Sequence, residues 1–191
     1  LPRHTFAIIF AVKRKVRNGD CRLILGLVDT HSKNPPNLRI KLNDYSAEYR
    51  PPRGASDASI FGNPKAGKAH IFAVDLPGET LKSGLNEITI TTLDGGWILY
   101  DWIGFQGPRP MKLDKAQGTL IRDIRIDPWL TKIDGKISQL MWIDLTQVGE
   151  AGDLTFYATG MRATKLEVAE GSRTIELALP PVKDRTETSV R

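Results

Sequence analysis

The apolar residues of this chain recur with a period of two, not 3.6. Phe6, Ile8, Phe10 and Val12 alternate with smaller residues, and Asn18-Gly19 then gives a hairpin turn signal. Cys21, Leu23, Leu25 and Leu27 alternate again, as do Leu38, Ile40 and Leu42. Residues two apart share one face of a strand, so this pattern builds half-buried sheets. Residues 71–74, 88–92 and 97–105 read as further strands, and no stretch in this half predicts an amphipathic helix of three turns. At most a turn of helix fits at 78–81 or in the loop from 45 to 67. That loop is rich in Pro, Gly, Ser and Ala and long enough to be a binding loop or an insertion.

Gly107-Pro108-Arg109-Pro110 punctuates the pattern like a linker. Short strands resume at 120–126, 139–145, 154–158, 165–168 and 173–179, separated by turn signals such as Asp134-Gly135 and Glu170-Gly171. The expectation is an all-β chain of two antiparallel β-sandwiches: residues 1–107, a linker at 108–118, and a second sandwich at 119–191. The strand spacing of the second predicts an immunoglobulin-like arrangement. Thr186–Arg191 ends where another strand should be under way, so this domain reads as truncated or as completed by a neighbouring segment.

Composition narrows the class. An apolar content of 40% excludes a disordered chain, and no apolar run approaches the roughly 18 residues that cross a bilayer. The single cysteine, Cys21, excludes an intramolecular disulfide or a multi-cysteine metal cluster, and its place in an alternating strand predicts a core thiol. Leu1-Pro2-Arg3-His4 carries no initiator Met and no signal pattern, so the chain reads as a processed or excised piece of something longer.

The net charge of +5 is uneven, because residues 1–74 hold 13 Lys and Arg against 5 Asp and Glu. Such a surplus either attracts an anionic partner or merely keeps the surface solvated. The run Lys13-Arg14-Lys15-x-Arg17 is most simply a solvated hairpin tip. Nucleic acid is disfavoured, since no recognised motif and no regular interleaving of aromatic and basic residues is present.

No catalytic set emerges. His4, His31 and His70 have no metal-ligand spacing, and no nucleophile elbow, phosphate loop or dinucleotide fingerprint is present. The pairs Asp123/Asp127 and Asp153/Glu170 would act on a glycosidic bond only if the fold brought them within about 5–10 Å. The strand at 97–105 is richer. Strict alternation places Leu99, Asp101, Ile103 and Phe105 on one face and Ile98, Tyr100 and Trp102 on the other. Flat Trp and Tyr rings stack on the apolar C–H face of a pyranose, or they simply fill the core. Trp97, beside Asp94-Gly95-Gly96, lies nearest a loop. Asp101 inside an apolar strand predicts a buried carboxylate that needs a partner.

Two stretches carry a family resemblance. Ala73-Val-Asp-Leu-Pro-Gly-Glu-Thr-Leu-Lys-Ser-Gly-Leu-Asn-Glu-Ile-Thr-Ile is followed by Gly96-Trp-Ile-Leu-Tyr-Asp-Trp-Ile-Gly-Phe-Gln. The strand pair "Leu, then Gly-x-Asn-x-Ile" and the later "Tyr-Asp-x-Ile" resemble the C-terminal jelly-roll domain of rhamnogalacturonan lyases. Those lyases form polysaccharide lyase family four, and the domain belongs to the galactose-binding-like, carbohydrate-module group. Leu23-Ile-Leu-Gly-Leu-Val-Asp and Leu38-Arg-Ile-Lys-Leu-Asn43 fit its earlier strands, so the resemblance covers about residues 3–107.

The resemblance implies a jelly roll without the lyase's catalytic domain: a non-catalytic accessory region of a larger glycoside hydrolase or polysaccharide lyase. It implies a secreted, periplasmic or cell-surface setting, a polysaccharide or oligosaccharide partner and no membrane. The candidate contacts are Trp97, Tyr100 and Trp102, with Arg50, Arg53, Lys65 and Lys68 of the long loop if the glycan is acidic. Related modules often hold a structural Ca²⁺ through a late-strand Asp, which points to Asp101, although one carboxylate does not make a site of six to eight oxygens. The alternative is a purely structural region packing against a catalytic domain. A third reading, a small enzyme in its own right, has no residue set behind it.

Overall fold

The structure, a computed structural model, describes residues 4–16, 19–158, 162–180 and 189–190. Arg17, Asn18 and most of Thr186–Arg191 lie outside them, and with them the expected first hairpin turn and the question of a last strand. Among the described residues the chain is all-β, interrupted by three 3₁₀ turns and by no α-helix. It divides into two compact units, Leu1–Lys115 and Ala116–Arg191.

The first unit holds β1 (His4–Val12), β2 (Asp20–Thr30), β3 (Asn37–Leu42), β4 (Tyr45–Tyr49), β5 (His70–Pro77), β6 (Gly84–Asp94), β7 (Ile98–Gln106) and β8 (Leu113–Asp114). Antiparallel pairing orders them into two sheets, β4-β3-β6-β1-β8 and β5-β2-β7. Cys21, Leu23, Leu25, Phe72 and Leu76 of one sheet pack with Leu38, Ile40, Leu42, Ile88 and Ile90 of the other. Each such side chain, fully buried, contributes about 1.5–3 kcal/mol. The sandwich and its alternating core residues are as the period of two predicts. One boundary differs: the loop expected from residue 45 starts after β4, whose register to β3 runs from Leu42↔Tyr45 to Leu38↔Tyr49. The two-residue turn between them works because Asn43 accepts a positive φ of 52°.

The motif Gly84-x-Asn86-x-Ile88 is architectural. Gly84 turns the chain at φ 81°. The buried Asn86 amide accepts from Lys82 N–H at 2.8 Å and from Asn43 Nδ2 at 2.9 Å, and donates to Lys82 O at 2.8 Å and Gly84 O at 2.9 Å. A buried amide so satisfied fixes the entry to β6, and Ile88 follows into the core.

The second unit holds β9 (Gly118–Ile133), β10 (Lys136–Val148), β11 (Gly152–Tyr157), β12 (Thr164–Val168), β13 (Gly171–Leu179) and β14 (Ser189–Val190). Its two three-stranded sheets are β13-β10-β9 and β12-β11-β14. Asp134 and Gly135, both at positive φ, close the β9–β10 hairpin. Met141, Ile143, Leu145, Leu154, Phe156, Val168, Leu177 and Leu179 form the core, which draws on β10, β11, β12 and β13. Ile126, Ile124 and Ile121 of β9 stand opposite Met141, Ile143 and Leu145. They therefore share the core face of that sheet, yet remain 42–49% exposed.

Candidate functional site

A cleft of about 620 Å³ opens in the first unit where β1 begins and the β6–β7 turn passes; Phe6, Trp97, Ile98 and Tyr100 supply its apolar lining and His4 and Asp94 its ionisable groups. The turn is built tightly. A Cβ on Gly95, whose φ is 87°, would stand 2.6 Å from Pro36 Cα, and one on Gly96 would stand 2.7 Å from His31 Cβ. Only glycines let residues 31–36 lie this close. The turn is then tied down by Gly96 N–H donating to Asn34 O at 2.8 Å and His31 N–H donating to Trp97 O at 3.0 Å. The Trp97 indole stands edgewise to the His31 ring at 6.2 Å, and its Nε1–H donates to Asp57 Oδ1 at 3.1 Å.

Tyr100 faces inward. Its ring meets Phe6 edge-on at 5.5 Å, and its hydroxyl is buried with no hydrogen-bond partner among the described residues. Burial pushes the phenol up to about 12. A buried hydroxyl left unpaired forfeits its hydration without compensation.

Strict alternation fails on β7, and the faces expected there are corrected. The β2–β7 pairing runs Leu25↔Ile103, Gly26↔Trp102 and then Leu27↔Tyr100, which leaves Asp101 as an extra residue in a β-bulge. Ile98, Tyr100, Ile103 and Phe105 all pack on the core. Asp101 and Trp102 are both exposed. Asp101 is thus not a buried carboxylate, and its exposure removes the reason to give it a cation. Among the described residues no group of three or more His, Cys, Asp or Glu is placed to hold a metal. The motif Tyr100-Asp101-x-Ile103 is the sequence of this bulge.

The buried carboxylate of this unit is Asp29, at the end of β2. Asp29 Oδ1 accepts from Thr30 N–H at 2.9 Å and Ala55 N–H at 3.0 Å, and Oδ2 accepts from Ser59 Oγ at 2.9 Å. Burial pushes its pKa up, but hydrogen bonds from the Ala55 and Lys68 backbone, the Ser59 hydroxyl and the Thr30 backbone outweigh that and hold it below the usual carboxylate value. Thr30 Oγ1 adds a bond to Pro52 O at 2.7 Å. A Cβ on Gly54 would collide with Thr30 O and Asp29 Oδ1, and one on Gly67 would stand 2.7 Å from Val28 O. The long loop is therefore folded around Asp29. No local signal marked it: β2 runs on into His31-Ser32-Lys33-Asn34-Pro35-Pro36, and the loop that folds around Asp29 begins only beyond β4.

The remaining candidates sit as follows. Arg50 is exposed and 3.7 Å from the Asp94 carboxylate. Arg53, Lys65 and Lys68 are exposed on the long loop, whose Asp57 takes the Trp97 N–H. Trp97 and Tyr100 line the cleft, whereas Trp102 is on the opposite face of β7. Cys21 is buried, as the alternation predicts.

No curated protein matches the chain. Among solved structures it is similar to a GH2 β-galacturonidase from Eisenbergiella tayi bound to galacturonate, and to a GH2 β-galacturonidase from the same organism bound to glycerol. In each case identity is 8% and TM-score 0.31, over 99% of this chain and 33% of the other. The chain thus spans about a third of those proteins, and a likeness this low bears on nothing further. The family comparison is decisive: the family model described as CBM-like, polysaccharide lyase family 4, domain III matches residues 1–105, more than half of the chain and the span on which the resemblance rests. The chain belongs to the CBM-like, polysaccharide lyase family 4 domain III family.

Proposed function

We propose that the chain is a non-catalytic accessory region of a larger carbohydrate-active enzyme, and that its first unit holds a polysaccharide or oligosaccharide in the cleft beside Trp97. The observation that carries this reading is the aromatic lining of the cleft, where Phe6, Trp97 and Tyr100 come together. Aromatic rings suit the C–H faces of a sugar, and a cleft that opens around Tyr100 on binding would give its hydroxyl, buried in the free chain, a sugar partner. Asp94 is the one carboxylate in the lining and Arg50 stands beside it. Glycosidic hydrolysis takes two carboxylates about 5–10 Å apart, so this arrangement supports binding rather than turnover. If the glycan is acidic, Arg53, Lys65 and Lys68 are the loop cations to meet it.

Calorimetric titration with polygalacturonate and a neutral galactan, at low and high salt, tests the reading. Wild type should give heat with at least one glycan, and Trp97→Ala should weaken it about tenfold while the fold is kept. A contribution from the loop cations would fade as salt rises, because charge attraction is screened beyond about 8 Å at physiological ionic strength. No heat with either glycan would sink the proposal.

A second reading is favoured by one observation, the uncovered core face of β9 with Ile121, Ile124 and Ile126 exposed. We infer that the second unit packs this face against a neighbouring domain, such as the catalytic domain of a parent enzyme. Replacing Ile124 and Ile126 with Lys should reduce binding of a hydrophobic dye and leave glycan binding unchanged. Equal dye binding by the variant would remove β9 as the open surface.

A further inference from the structure

The outer face of the β5-β2-β7 sheet carries rows of cross-strand partners: Ile71, Gly26 and Trp102 in one, Ala73, Ile24 and Gly104 in the next, Asp75, Arg22 and Gln106 in a third. The bulge at Asp101 decides what stands here. Without it Trp102 would share the inner face with Tyr100; with it, a carboxylate and an indole follow one another, both exposed. Bulges re-aim side chains in this way and are over-represented beside functional sites.

The indole is seated rather than dangling. A Cβ on Gly26 would collide with Nε1, Cδ1 and Cε2 of Trp102, three neighbouring atoms of its five-membered ring, and one on Gly104 would stand 3.0 Å from Cζ3 of the six-membered ring. The ring system therefore lies over two bare glycines on adjacent strands. Glycine within a strand lowers stability relative to alanine, and here two of them leave room for one side chain. The indole remains 41% exposed, next to an Ile71 that is 63% exposed. No described residue pairs with the Asp101 carboxylate. The third row is neutral, since Arg22 Nε donates to Asp75 Oδ1 at 2.7 Å.

We propose that Asp101 and Trp102 form a second carbohydrate contact, distinct from the cleft, that takes the pyranose rings of a neutral polysaccharide. The C–H face of a sugar stacks on the indole, and adjacent hydroxyls donate to Asp101 in charge-assisted hydrogen bonds. The glycine seat holds the ring before the ligand arrives, so little side-chain freedom is lost on binding. The charge selects against uronic acids. Asp101 is the unpaired charge beside the indole among the described residues, and it repels a carboxylate. The site goes beyond the cleft reading, because it lies on the other face of β7 and uses none of the cleft's residues.

The test uses the full chain carrying Trp97→Ala, which takes the cleft out of play. Its binding to soluble galactan, xylan and β-glucan, and to polygalacturonate, is measured by affinity electrophoresis and by tryptophan fluorescence. It should bind at least one neutral polysaccharide, with the same affinity at low and high salt. Adding Trp102→Ala should weaken that binding about tenfold or more, and adding Asp101→Asn about threefold or more. Asp101→Asn leaves the indole and its seat intact, so it reports even if Trp102→Ala disturbs the sheet. Absence of neutral binding by the Trp97→Ala chain, indifference to both added substitutions, or preference for polygalacturonate would each overturn the proposal. The cleft reading stands or falls separately, on whether Trp97→Ala weakens binding by wild type.

Discussion

The indole N–H of Trp97 donates to Asp57 Oδ1 at 3.1 Å, which pins a wall of the cleft to the first 3₁₀ turn of the long loop. An exposed bond of this kind contributes about 0.5–1.5 kcal/mol. Asp57→Ala should lower the melting temperature by only a few degrees, since the loop keeps its ties to Asp29. It should weaken glycan binding about two- to tenfold, because the indole loses the contact that orients it. Asp57→Asn keeps an acceptor and should restore affinity. Equal weakening by both variants would assign Asp57 a different role.

Asp29 should govern the loop's stability and its acid sensitivity. Asp29→Ala leaves the Ala55, Ser59 and Lys68 donors without their acceptor, a loss of about 2–4 kcal/mol readable by thermal melting. The folded pKa is held below the unfolded one, which is about 3.9. The contribution is therefore complete above that unfolded value and drains away as pH falls through the depressed folded one. Wild type and Asp29→Ala should differ most near neutral pH, and the gap should narrow in strong acid. A gap that stayed constant down to pH 2 would contradict this.

The sequence reveals what depends on period and misses what depends on a single inserted residue or a distant donor. Leu23, Leu25, Leu38 and Ile40 are core because alternation is local, and Asp134-Gly135 closes its hairpin because the turn chemistry is local. The bulge at Asp101 shifts every later side chain of β7 to the other face, and nothing in a run of apolar and polar letters marks an extra residue. Asp29 was invisible for another reason. Its partners Ala55 and Ser59 lie 26 and 30 residues downstream, and one of them donates from the backbone, which carries no residue identity. β4 was hidden because Tyr45-Ser46-Ala47-Glu48-Tyr49 alternates too weakly to stand out from the loop it precedes.

Cys21 should be chemically silent in the folded chain. Burial first, and the Asp20 charge second, push its thiol up to about 11. At pH 8 about one molecule in a thousand then carries the reactive thiolate. A chromogenic disulfide reagent should leave the native chain unmodified over hours and react fully in denaturant. Rapid reaction of the native chain would mean that β2 opens locally near Asp20.

Tyr100→Phe separates a ligand-binding hydroxyl from a structural one by the sign of its effect. In the free chain the hydroxyl is buried without a partner among the described residues, so removing it relieves an uncompensated desolvation. The melting temperature should stay constant or rise, by up to about 1 kcal/mol of stability. In the complex the cleft must open for a sugar hydroxyl to reach it, and the same deletion then removes the group that the sugar would satisfy, so affinity should fall about two- to tenfold. The phenol, held up to about 12 by burial, stays protonated across the working range. It can therefore donate as well as accept, and the effect should not vary between pH 5 and pH 9. Thermal melting and calorimetric titration of the two proteins, run side by side, read both signs. A variant that melts well below wild type would show that the hydroxyl is already paired in the fold. Unchanged affinity would move the glycan away from Tyr100.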